Sequence, residues 1–158
     1  MEMIELIKPE HVLSLRAGTK TQLLQELSRR AAKALGVEVP AVLDPVLARE
    51  ALGSTGIGEG VAVPHARIAG LKQFFALFAR LEKPINFDAV DGQPIDLVFL
   101  LLVPADADKD HLAALACVAR RLRDPEIAWQ LRATAQPAAL YALLAGKIAT
   151  KPAAGGSK

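Results

Sequence analysis

The 158-residue sequence is poor in residues that cross-link, ligate or span. It has one cysteine, Cys117, and therefore no internal disulfide framework, so nothing points to an oxidising compartment. Its three histidines, His11, His65 and His111, are scattered and, with that single thiol, offer no metal-ligand spacing; neither a metal nor a cofactor is implied. The strongest apolar run, residues 97–103, falls far short of the roughly 20 residues a membrane-crossing helix requires, so no membrane insertion is expected. Aromatics make up only 4% of the chain, which leaves Leu, Val, Ile and Ala to build the core. A basic stripe interleaved with aromatics is also missing. The net charge is +2 with both signs interspersed, the one local cluster being Arg120, Arg121 and Arg123, so no nucleic-acid partner is expected. Met1-Glu2-Met3-Ile4-Glu5 shows no basic region ahead of an apolar one, hence no secretory signal and a cytoplasmic protein by default.

What is present is a globular composition, 52% hydrophobic and 23% charged, of a length that suits one domain. Thr19 with Gln22 has the spacing of a capping box; Leu23, Leu24, Leu27, Ala31 and Leu35 follow at helical period, and Gly36 stops the run. Asp44-Pro45 predicts a short helix to about Ala51, with Asp at the cap and Pro at the first helical position. Val61-Ala62-Val63 is β-prone, residues 73–81 read as a strand, and Asp91-Gly92-Gln93-Pro94 as a turn. The apolar run 95–103, ended by Pro104, reads as a strand buried on both faces. Asp108 or a neighbouring Asp caps a long helix to about Arg123, with Leu112, Leu115, Ala116, Ala119 and Leu122 as its core face and Cys117 as a small core residue. Asp124-Pro125 opens a helix carrying Ile127, Trp129 and Leu131, and a last helix over about 138–145 ends at Gly146. Strands in the middle with helices on both flanks predict one α/β layered domain, residues 1–148, followed by a flexible tail, 149–158.

The chemistry concentrates between Arg49 and Arg67. Gly53, Gly56, Gly58 and Gly60 fall within eight residues, where backbone N–H groups can form an anion-binding concavity. Arg49 and Arg67 bracket the segment with guanidiniums suited to phosphate oxygens. His65 follows Pro64, whose fixed φ stiffens the approach to the imidazole. Such a ring acts as a general base or as a nucleophile toward phosphorus. The glycines match neither a dinucleotide fingerprint nor a nucleotide P-loop, and no nucleophile elbow is present. Ser54 and Thr55 either touch phosphate or tighten the glycine turn, Glu59 either joins the site or is a solvated loop carboxylate, and Glu50 reads as a surface neighbour of Arg49. His11 reads as structural or solvated.

Ser54-Thr55-Gly56-Ile57-Gly58-x-Gly60-Val61-Ala62-Val63-Pro64-His65 resembles the phosphorylation-site signature of the fructose–mannitol type IIA domains of the bacterial phosphotransferase system. A second block, from Pro84-Ile85-Asn86-Phe87-Asp88 through Leu102-Val103-Pro104-Ala105-Asp106, resembles the nitrogen-regulatory branch of free-standing IIA-like proteins. The resemblance runs from about Ile4 to Leu144. It implies a three-layer α/β/α sandwich around a mixed sheet, in which His65 is the phospho-acceptor, His111 a second active-site histidine that orients the ring or the phosphate, and Arg49 an arginine close to the phosphohistidine. Ser54, Thr55, Gly56 and Glu59 are the accompanying candidates for phosphate binding. The implied donor is a histidine phosphocarrier protein, and the implied targets are regulatory partners such as potassium transport proteins or sensor kinases. Two alternatives stand beside this: a sugar-uptake component passing phosphate to a IIB domain, and a non-catalytic binding module on the same fold.

Overall fold

The structure is a computed structural model that describes residues 1–146. The predicted flexible tail, 149–158, lies outside the described residues. In chain order the elements are β1 (Val12–Leu15), α1 (Lys20–Leu35), α2 (Val39–Ala51), β2 (Gly56–Gly58), β3 (Val61–Ala62), β4 (His65–Ile68), β5 (Phe75–Ile85), β6 (Ile95–Pro104), α3 (Asp108–Arg123), α4 (Pro125–Arg132) and α5 (Pro137–Ala145). Two short 3₁₀ turns, Met3–Glu5 and Pro9–His11, precede them.

One mixed sheet carries all six strands in the order β1-β5-β6-β3-β2, with β4 also on β6. Strand β6 is its axis. It pairs antiparallel with β5 on one side and parallel with β3 and then β4, end to end, on the other. Its side chains alternate between two separate cores: Leu97, Phe99, Leu101 and Val103 pack with α3, α4 and α5, whereas Val98, Leu100 and Leu102 pack with α1 and α2. Burial on both faces is what its apolar run from Leu97 to Val103 predicts, and the α/β/α sandwich follows from it. No helix among the described residues is long and apolar enough to cross a membrane.

Several local signals hold. Thr19 accepts the Gln22 N–H at 3.1 Å, Gly36 takes the left-handed conformation (φ 73°) that ends α1, and Asp124 caps α4 through the N–H groups of Glu126 and Ile127. The Gln22 side chain reaches one residue further back than a capping box requires and accepts from Gly18 N–H at 3.0 Å.

Three expectations are corrected. Helix α2 begins at Val39, with Pro40 in its first turn, and Pro45 lies inside it, so Asp44-Pro45 does not open the helix. Pro45 removes the bond to the Ala41 carbonyl, but Ala41 is exposed and water can satisfy it. Asp108 is the first helical residue of α3, and Ala107 stands at the cap without a side-chain bond. The core face of α3 is also rotated. Ala114, Cys117, Val118 and Leu122 are buried, Leu115 and Ala119 are half-buried, Ala116 is exposed and Leu112 is 72% exposed. Alanines gave the periodicity little contrast, and the stripe that wins is the one whose extension turns His111 inward. In α4, Ile127 and Leu131 are buried, and Trp129 points outward at 68% exposure.

Candidate active site

The site is built where three chain segments meet beside the middle of β6. Strands β3 and β4 are separated by Val63-Pro64, and Pro64 still contributes its carbonyl to the Leu101 N–H at 2.9 Å. His65 is therefore the first residue of β4, opposite Leu101. Ala66 and Ile68 face the α1/α2 core, so strand alternation turns His65 the other way, toward the start of α3. There the His111 ring lies edge-on to the His65 ring, with centroids 5.5 Å apart and planes at 71°. The end of α2 supplies Arg49.

Two bonds fix the His65 ring. Nδ1 lies 2.8 Å from the Val63 carbonyl, and Arg49 Nε–H donates to Nε2 at 3.3 Å. A carbonyl only accepts and a guanidinium only donates, so the proton belongs on Nδ1 and the lone pair on Nε2. The same Arg49 is anchored by donating from Nη1 to the Gly53 carbonyl at 2.8 Å. Burial is the main cause that holds the His65 pKa below 6.5; the Val63 bond opposes this, the Arg49 charge adds to it, and the Glu50 charge opposes it. The ring is thus neutral at physiological pH with a nucleophilic nitrogen directed at a cation. His111 is also less basic than usual, first through burial, then through His65 and Arg67, against the opposing charge of Asp108. Its Nε2 is buried and has no hydrogen-bond partner.

The remaining sequence candidates divide. Thr55 is buried, and its N–H and hydroxyl both donate to the Glu50 carboxylate, the N–H at 3.2 Å. Ser54 Oγ donates to the Phe87 carbonyl at 3.0 Å and accepts from Gly56 N–H at 3.0 Å. Both hydroxyls thus have loop partners, which favours the turn-tightening alternative. A side chain at Gly56 would meet Ala89 Cβ at 2.8 Å, so only glycine lets the loop pass this close. Glu59 is not brought to His65. It sits with Gly60 at the tip of the β2–β3 hairpin, both at positive φ (59° and 80°), and its carboxylate lies 3.9 Å from Arg123. The Val61–Leu97 and His65–Leu101 pairings put at least four strand residues, roughly 13 Å, between that tip and the ring. Arg67 faces α3 and donates to the Ala105 carbonyl at 2.9 Å while pairing with Asp108 at 3.1 Å, which ties down the turn leading to His111. The suggestion that His111 orients the His65 ring is not what the bonds describe: Val63 and Arg49 hold it. Two participants escaped sequence reading, the Val63 carbonyl and Glu50. Neither has a local signal, since one is backbone and the other an ordinary helix-end carboxylate whose burial depends on α1.

With that geometry in view, comparison with known proteins gives a consistent answer. The family model of the phosphoenolpyruvate-dependent sugar phosphotransferase system, EIIA 2, matches residues 5–147. The chain belongs to this family. It is 49% identical over 151 residues to a nitrogen regulatory protein of Bradyrhizobium diazoefficiens, covering 95% of this chain and 99% of that protein. Its fold is similar to the crystal structure of nitrogen regulatory protein IIA-Ntr from Neisseria meningitidis, with a TM-score of 0.83 and 36% identity over 90% of this chain and 97% of that one. The IIA mannitol structure from Escherichia coli shares the fold alone, at a TM-score of 0.72 and 22% identity over 88% of this chain and 99% of that one. The chain is therefore an EIIA 2 protein of the IIA-Ntr-like kind. Among the described residues no group of three or more His, Cys, Asp or Glu side chains is arranged to hold a metal ion.

One consequence of this electrostatics is testable in the folded protein. His65, His111 and His11 are each held below 6.5, in every case chiefly by burial. The unfolded chain then binds protons before the folded one does as pH falls, and ∂ΔG/∂pH is positive there. As far as these three rings decide it, stability should be level between about pH 7 and 8 and decline as acid passes the unfolded-state value near 6.5. Denaturant midpoints measured across that range check the sign.

Proposed function

We propose that this EIIA 2 protein is a cytoplasmic phosphohistidine relay whose phosphorylation state regulates partner proteins. A histidine phosphocarrier protein gives up its phosphoryl group to Nε2 of His65. The lone pair on Nε2 attacks phosphorus in line, the P–N bond to the donor imidazole breaks, and its electron pair stays with the donor ring. The proton stays on Nδ1, donated to the Val63 carbonyl throughout, so no general base is needed. Catalysis consists of placement and charge stabilisation. Arg49 moves its hydrogen bond from the ring nitrogen to the incoming phosphoryl oxygens, and His111 faces the same space from α3. The observation that carries this reading is the tautomer: Val63 and Arg49 together leave Nε2 unprotonated and next to a guanidinium.

A neutral ring that acquires a dianionic phosphoryl group, a net gain of one negative charge while Nδ1 stays protonated, changes the local potential abruptly, which is how a carrier becomes a switch. The identity to nitrogen regulatory proteins favours that output over sugar uptake, with potassium transport proteins and sensor kinases as the target classes. The test is incubation with a phosphorylated histidine phosphocarrier protein, followed by intact mass and by pull-downs with the free and phosphorylated chain in parallel. The expected result is one acid-labile phosphoryl group and a partner set that differs between the two forms. Phosphoryl transfer onward to a IIB domain, with identical partner sets, would decide for sugar transport.

Arg49→Ala should lower the rate of uptake by roughly 10²-fold, the scale of losing one charge-stabilising donor. Arg49 is a half-exposed helix-end residue, so its melting temperature should stay close to that of the parent. Matching uptake kinetics would remove Arg49 from the mechanism.

A further inference from the structure

The Glu50 side chain is only 5% exposed, although it lies at the end of a surface helix. Three donors converge on its carboxylate. They are Lys20 Nζ at 2.8 Å, Thr55 N–H at 3.2 Å and the Thr55 hydroxyl. Lys20 opens α1, and its ammonium also lies 4.4 Å from the centre of the Phe87 ring, whose own carbonyl receives Ser54. The carboxylate thus joins the start of α1, the end of α2 and the glycine loop. The chain of bonds continues inward. The Thr55 carbonyl accepts Val63 N–H at 3.0 Å, and the Val63 carbonyl accepts His65 Nδ1–H at 2.8 Å. Adjacent residues of one helix therefore reach the imidazole from opposite ends: Arg49 directly at Nε2, Glu50 through Thr55 and Val63 at Nδ1.

A buried ion pair adds little net stability over apolar packing of the same volume. What such a pair supplies is direction, and here the direction is that of the Val63 carbonyl. We propose that Glu50 is a positioning residue for His65, holding Thr55 and Val63 so that the ring keeps its proton on Nδ1 and its lone pair on Nε2. The assignment rests on His65 being the phosphoryl acceptor, but the tautomer is observable without any phosphoryl transfer. Tautomer and rate can therefore be separated.

The experiment uses the full chain labelled with ¹⁵N-histidine. It compares the parent with Thr55→Val, Thr55→Ser and Glu50→Gln, reading the His65 ring nitrogens by NMR and phosphoryl uptake from a phosphorylated histidine phosphocarrier protein. Thr55→Val keeps side-chain volume and removes only the hydroxyl, so it carries the test even if Glu50→Gln folds poorly around the unpaired Lys20. The expected result is a single Nδ1–H tautomer in the parent and in Thr55→Ser. In Thr55→Val the tautomers should mix and uptake should fall ~10-fold or more, the scale of a small misplacement of a reacting group. An unchanged tautomer in Thr55→Val overturns the proposal whatever its uptake rate. If the parent itself accepts no phosphate, the acceptor reading falls, and the tautomer comparison still decides for or against Glu50.

Discussion

His65→Ala should take up no phosphoryl group under conditions in which the parent is fully modified. The loss is expected to be complete, because no other described side chain combines a neutral nucleophile, a fixed tautomer and a neighbouring guanidinium. His111 lies beside it, the ring centroids 5.5 Å apart, but its Nε2 is buried without a partner and no cation is hydrogen-bonded to it. His11 is elsewhere, tilted against Phe75 with centroids 4.7 Å apart. Intact mass after exposure to the phosphorylated carrier reads the result directly, and a phosphorylated His65→Ala chain would place the acceptor elsewhere. The variant should fold, since a half-buried ring at the start of a strand contributes modestly to the core. Matching circular dichroism and melting curves make the loss a chemical one.

The largest loss of stability is expected from Phe99→Ala. Phe99 is fully buried in the middle of β6, opposite Phe78 on β5 and packed into the core that holds α3, α4 and α5. With aromatics so scarce, its volume has no substitute nearby. Truncation should cost about 3–5 kcal/mol from lost transfer energy plus the residual cavity. The melting temperature should fall by roughly 10 °C or more. Equilibrium denaturation measures the first and calorimetry the second. A loss under about 1 kcal/mol would mean that the cavity collapses freely, contrary to close packing between two covered sheet faces.

The parts of this protein that were legible in its sequence are those whose signal is local. The apolar run of β6, the Thr19 cap, the Gly36 stop and the Asp124 cap each specify their own conformation. So does the spacing from Ser54 to His65, which pointed to the family. What was not legible depends on remote packing. Strand β2 is Gly-Ile-Gly, which has no strand propensity of its own and exists because β3 pairs with it. Asp44-Pro45 carries the local mark of a helix start, yet the helix had already begun at Val39 because Val42 and Val46 pack against the sheet. Glu50 reads as a solvated carboxylate until Lys20 closes over it. Glu59 stands within the signature in sequence, but hairpin geometry carries it at least four strand residues along the sheet from the ring. Proximity along the chain was a fair guide to family and a poor guide to which groups share a pocket.

Because β3 and β4 rest successively on the same flank of β6, the backbone of His65 is carried directly on the central strand of the sheet, although β4 has no second strand neighbour. Fraying of β1 at the outer edge would leave that backbone undisturbed, whereas β2 begins next to Thr55, whose carbonyl holds Val63 N–H. In the proposed relay, the charge would change at one nitrogen of a residue whose backbone is mounted on the middle strand of the sheet.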